Sequence, residues 1–115
     1  MSYTETHFAK FKIVSKTSAD TLKYIEDNKL TDDFDIEIIN DVPHYIEVNN
    51  DKYDIVKYKG ELMLIEYIEH ERFNEDESLC NFTKNDDNTY NLTVQFYNGG
   101  CCFKELLEEE INDKL

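Results

Sequence analysis

The chain of 115 residues, 40% hydrophobic and 13% aromatic, suits one domain with a single modest core and does not have the composition of a disordered acidic tail. Its formal net charge of −14 argues against sequence-independent binding to nucleic acid or an anionic membrane, both of which attract Lys and Arg, and favours a basic partner surface. No basic segment followed by an apolar run opens the sequence, and no stretch approaches the roughly 20 apolar residues of a membrane span, so a cytoplasmic protein is expected.

Residues 7–14 alternate Ala9, Phe11 and Ile13 with Lys10 and Lys12, the period of a half-buried strand. Thr17, with Asp20 three residues on, resembles a capping box, and Leu22 and Ile25 continue an apolar stripe, predicting a helix over 18–29. Two strands are expected at 34–39 and 44–49 around a turn at 40–43 that rests on Asp41 and Pro43. The next segment predicts a hairpin turning at Lys59 and Gly60. The unbroken run Leu62, Met63, Leu64 and Ile65 makes 61–73 a central strand covered on both faces, with a helix as the competing reading.

A last hairpin is expected from 79–83 and 89–97, where Tyr90, Leu92, Val94 and Phe96 alternate with polar residues. After Gly99 and Gly100, the spacing of Phe103, Leu106, Leu107 and Ile111 predicts a terminal amphipathic helix with Glu108, Glu109 and Glu110 largely opposite. The expected class is α+β, one domain over 1–115. Its mostly antiparallel sheet carries an N-terminal-half helix and a C-terminal helix packed on one face.

The acids are concentrated. Residues 31–51 contain Asp32, Asp33, Asp35, Glu37, Asp41, Glu47 and Asp51 and no Lys or Arg; residues 74–88 contain Glu75, Asp76, Glu77, Asp86 and Asp87 against Lys84 alone. On a strand, Asp33, Asp35 and Glu37 would project to one side at about 6.6–6.8 Å intervals, close to twice the roughly 3.4 Å axial phosphate spacing of one DNA strand. These twelve acids are the candidate partner-binding residues, against the plain alternative of a solvated strand face. Tyr45, Tyr53, Tyr58, Tyr67 and Tyr97 could add contact anchors among them, or pack in the core.

Other chemistry is sparsely signalled. The acidic stretch lacks the mid-loop Gly of an EF-hand, and His7, His44 and His70 have no metal-ligand spacing. Cys80, Cys101 and Cys102 form no disulfide framework and are expected to be reduced. Cys101 and Cys102, at a predicted helix N-terminus, are the best nucleophiles in the chain. No catalytic residue, metal or cofactor is expected.

The ending FYNGGCCFKELLEEEI, residues 96–111, resembles that of small phage and prophage proteins of low-GC Gram-positive bacteria, and the size, charge and one-domain build resemble the small phage anti-defence proteins, including anti-CRISPR and anti-restriction inhibitors. That group shares no common motif, so no functional residue is carried over. The resemblance implies a non-enzymatic, DNA-mimicking inhibitor of a basic nucleic-acid-binding protein such as a defence nuclease, acting in the host cytoplasm without touching nucleic acid or membrane. The alternatives are a phage structural or assembly protein that forms homo-oligomers, and a small nucleotide-binding or cysteine-dependent enzyme.

Overall fold

The computed structural model of the chain describes residues 4–73, 81–97 and 103–115. Along these residues run β1 (Thr4–Ser15), α1 (Ser18–Asp27), β2 (Phe34–Ile39), β3 (Val42–Val48), β4 (Tyr53–Tyr58), β5 (Glu61–Phe73), β6 (Asn81–Lys84), β7 (Thr89–Tyr97) and α2 (Phe103–Lys114). Five strands form a sheet in the order β4-β5-β1-β7-β6, while β2 and β3 form a two-stranded sheet. The pairs β1–β7, β4–β5, β6–β7 and β2–β3 are antiparallel. The fold is α+β, and α2 packs against the sheet. The chain divides into two compact units, Met1–Lys12 with Tyr67–Leu115, and Ile13–Glu66; β1 and β5 contribute residues to both.

In the unit Ile13–Glu66, α1 begins as its sequence predicts: the Thr17 hydroxyl accepts the Asp20 N–H at 3.2 Å, satisfying one of the helix's orphan donors. Helix side chains then reach the start of β5. The Ser18 hydroxyl accepts the Leu62 N–H at 2.9 Å, and the buried Thr21 hydroxyl donates to the Leu62 carbonyl at 2.7 Å. Thr21 has spent its one proton there, so at 2.6 Å from the Ser15 hydroxyl it acts as acceptor. The Ser18 N–H donates to the Glu61 carboxylate at 3.1 Å, placing an anion at the positive end of the helix.

The helix ends at Asp27, short of the expected 29. Lys29 N–H donates to Glu26 C=O at 3.1 Å and Leu30 N–H to Ile25 C=O at 2.8 Å, with Lys29 at φ 58°. This is a Schellman stop built without glycine. Leu30 packs on the cluster that contains Ile25, which also holds Phe34, Ile55, Leu62 and Leu64. Residues 61–73 are strand, and Leu62, Met63, Leu64 and Ile65 are all fully or almost fully buried. That double-sided burial is what the continuous apolar run implied. The β4–β5 turn falls on Lys59 (φ 51°) and Gly60 (φ 79°) as expected, both in the left-handed region that a type I′ turn demands.

The other unit is built on ring contacts and one helix stripe. Phe11 lies opposite Tyr90 across β1–β7, their rings stacked at 5.6 Å, and Phe82 of β6 closes on Tyr90 at 5.7 Å. The hairpin of β6 and β7 turns through 85–88 with Asn88 at φ 65°. On α2, Phe103, Leu107 and Ile111 are buried and Leu106 is half-buried.

Two predictions test the α1–β5 junction. Thr21→Val keeps the shape but strands the Leu62 carbonyl and the Ser15 hydroxyl, and should cost about 1–3 kcal/mol in urea unfolding; an unchanged midpoint would show that these bonds contribute nothing. The hydroxyl and then the backbone N–H of Ser18 hold the Glu61 carboxyl below its ordinary 4.5. A depressed carboxylate stabilises the fold above its unfolded-state value and loses that contribution as pH falls through the folded-state value. Glu61→Gln should therefore be less stable than the parent at about pH 7, with the difference shrinking as pH falls below 4.5.

Candidate partner-binding site

The two-stranded sheet carries Asp35, Glu37 and Glu47, three of the seven acids of the first block. Its turn is shorter than the sequence suggests: Asn40 (φ 52°) and Asp41 (φ 66°) form a two-residue connection, and Pro43 lies inside β3 opposite Ile38. The physical reason is that a type I′ turn needs positive φ at both central residues, which Asn and Asp tolerate and the proline ring forbids. Pro43 is accommodated because β3 is an edge strand.

Alternation along the hairpin separates two faces. Phe34, Ile36 and Ile38 share one with Val48, Tyr45 and Pro43; Asp35, Glu37 and Ile39 share the other with Glu47, His44 and Val42. Asp35 stands directly opposite Glu47, and Glu37 opposite His44. The register shifts between Asp35 and Ile36, leaving Ile46 as the extra residue of a bulge.

Asp33 does not join this row. It lies in the turn before β2, half-buried, where its carboxylate accepts the Asn50 amide at 3.1 Å and its carbonyl accepts the Asn49 N–H at 2.7 Å. The Asn50 side-chain oxygen in turn accepts the N–H groups of Lys52 and Tyr53 at 2.8 and 3.1 Å. Asn50, which the sequence does not single out, thus clasps the base of the hairpin with Asp33. Asp32 is exposed in the same turn, Asp41 is exposed at the tip and Asp51 is exposed in the bend after β3.

Apolar exposure accompanies the charge. Ile38 is 56% exposed, Ile39 45%, Val42 47% and Ile46 59%, against one other large exposed hydrophobic among the described residues, Ile68. Ile38 continues the alternation of Phe34 and Ile36 but lies beyond the part of the strand that packs on the core. Of the tyrosines, Tyr58 is buried and Tyr45, Tyr53 and Tyr67 are half-buried. Tyr53 meets the Tyr24 hydroxyl at 3.0 Å; that bond and burial raise its pKa, marking it as structural.

In the second acidic block, Glu75, Asp76 and Glu77 lie outside the described residues. Asp86 and Asp87 are exposed in the β6–β7 turn. Asp87 accepts both the hydroxyl and the N–H of Thr89, at 2.5 and 3.2 Å, which hold its carboxyl below the ordinary range, so its charge also serves the turn. Cys80, Cys101 and Cys102 lie outside the described residues. The rings of His7 and His70 approach to 5.8 Å beside Phe103, and no group of three or more His, Cys, Asp or Glu fit to hold a metal occurs among the described residues. No helix there is long and apolar enough to cross a membrane.

Fold and site together define a small acidic α+β protein that displays carboxylates and bare aliphatic side chains on one hairpin. Comparison with protein-family models, curated proteins and solved structures gives no match.

Two like charges directly opposite on a ladder destabilise it. Glu47→Gln removes the repulsion with Asp35 and should raise stability by roughly 0.2–0.5 kcal/mol in denaturant unfolding at low salt, the gain shrinking as salt is added. A loss of stability would show that the pair is not repulsive in the folded protein.

Proposed function

We propose that this protein is a non-enzymatic inhibitor that occupies the nucleic-acid-binding groove of a basic partner, of the kind found in phage-defence nucleases. The reading rests above all on the β2–β3 hairpin, where Asp35, Glu37 and Glu47 share a face with no lysine or arginine anywhere in 31–51. Asp35 and Glu37, two residues apart on a strand, are spaced about 6.6–6.8 Å, and Glu47 widens the row into a small anionic surface. Arg and Lys side chains that hold phosphates would donate charge-assisted hydrogen bonds to these carboxylates.

The aliphatic side chains beside the carboxylates support a protein partner over a free counterion. Exposed apolar surface rimmed by charge is characteristic of protein–protein contact. In this reading the acids steer encounter and set register, and Ile38, Ile39, Val42 and Ile46 contribute contacts that salt does not screen. Asp33 is a support of the hairpin base in place of a contact residue.

The test is capture from lysates containing CRISPR and restriction nucleases, at low and high salt, with DNA or RNA as competitor. A nucleic-acid-binding protein should be retained at low salt and displaced by the competitor. The triple variant Asp35→Lys, Glu37→Lys, Glu47→Lys should weaken that capture by about tenfold or more, while Asp86→Lys should change it little. Capture of a nuclease that survives both the competitor and the triple variant would sink the mimicry, and a defined multimer of this chain alone would point to assembly.

A further inference from the structure

Beside the hairpin, α1 and β2 enclose an open groove of about 430 Å³ lined by Leu22, Ile25, Glu26, Thr31, Phe34 and Ile36. We infer that this groove receives one basic side chain, a lysine or an arginine, from the partner protein. The inference rests on the partner reading above only in taking the cation from a protein.

Its walls and its single charge point to that chemistry. Ile25 and Phe34 are buried and form the floor, while Leu22 and Ile36 are half-buried. Four aliphatic or aromatic walls suit the methylene stem of Lys or Arg, which packs on apolar surface while its head stays near water. Glu26 is the one ionisable side chain in the lining and is exposed. Its carboxylate is a ready acceptor for a guanidinium or ammonium head. The volume lies within the range of ligand sites, but the open shape fits a side chain offered from a surface.

Charge complementarity decides among occupants. The strand that forms one wall continues into Asp35 and Glu37, and the turn before it holds Asp32 and Asp33. Asp35 and Glu37 lie on the opposite face of that strand, so a phosphate, nucleotide or acidic peptide would enter against the Glu26 carboxylate in the lining and the exposed Asp32 of the turn. A purely apolar side chain would cover the Glu26 carboxylate without pairing it, a desolvation cost that a basic residue avoids. A second copy of this chain, with net charge −14, would meet the same repulsion.

The experiment is a titration of the labelled protein with N-acetyl-arginine amide, N-acetyl-norleucine amide and N-acetyl-glutamate amide, followed by amide chemical shifts. The arginine compound should move the resonances of Leu22, Ile25, Glu26, Thr31, Phe34 and Ile36 saturably. The norleucine compound, which keeps the stem and lacks the charge, should bind more weakly, and the glutamate compound should not register. Glu26→Gln, an exposed and conservative change, should weaken arginine binding about three- to fivefold, the scale of an exposed charge pair.

Equal binding of norleucine amide would replace the basic occupant with an apolar one and overturn the inference. Shifts confined to Asp35, Glu37 and Glu47, or no effect of Glu26→Gln, would also overturn it, as would concentration-dependent broadening of the groove resonances without ligand, the mark of a second copy. No partner protein is present, so the groove can fail while nuclease capture stands. Equally, capture can fail while the groove still takes arginine.

Discussion

The Leu62 N–H donates to the Ser18 hydroxyl and the Leu62 carbonyl accepts from the Thr21 hydroxyl, so helix side chains meet β5 where β1 has already ended at Ser15. Buried backbone polar groups must be paired, and here the pairing fixes how α1 lies against the strand. Ile25 then meets Leu62, Leu64 and Ile55, and the Schellman stop delivers Leu30 to the same cluster. Three residues of turn later Phe34 enters that core. The path of β2, and with it the acidic face, follows from a lock made of two hydroxyl groups.

The hairpin is an element divided between stability and display. An isolated two-stranded hairpin is marginal in water; this one is held where Phe34, Ile36, Tyr45 and Val48 pack on the core and where Asp33 and Asn50 clasp its base. Beyond that anchorage Ile38, Ile39 and Val42 remain open to solvent, and Asp35 faces Glu47 without an intervening cation in sequence. Neither feature helps the chain fold. Local choices that oppose the fold concentrate where function resides, and both fall on the same short ribbon.

Much of the framework is legible in sequence because it depends on neighbours along the chain. Thr17 caps its helix through a bond to a residue three positions on, Lys59 and Gly60 turn because of their own φ preferences, and Phe103, Leu107 and Ile111 repeat at the helix period. Leu62 to Ile65 read as doubly buried because no polar residue interrupts them. What stays illegible depends on distant partners. Ile38 continues the alternation of Phe34 and Ile36, yet nothing in the period says that the core stops after Ile36. Asp33 continues the alternation of Asp35 and Glu37, yet the amide of Asn50, far along the chain, draws it into a turn. Lys29 takes a left-handed conformation usually left to glycine, because the two capping bonds and the packing of Leu30 offset its strain.

Carboxylates alone make a poor competitor for a nucleic-acid groove. Their attraction is felt only over about 8 Å at physiological ionic strength, and nucleic acid offers the same charges at higher density. A protein that displaces it needs a term that nucleic acid lacks and that salt leaves intact. Charge governs how quickly two surfaces meet, whereas close contacts govern how long they stay together. In the proposed complex, Asp35, Glu37 and Glu47 serve the first step, while Ile38, Ile39, Val42 and Ile46 serve the second. Ile39 and Val42 share the face of the carboxylates, so a groove able to receive the charges also meets these two aliphatic side chains, and a phosphate backbone supplies no counterpart to them.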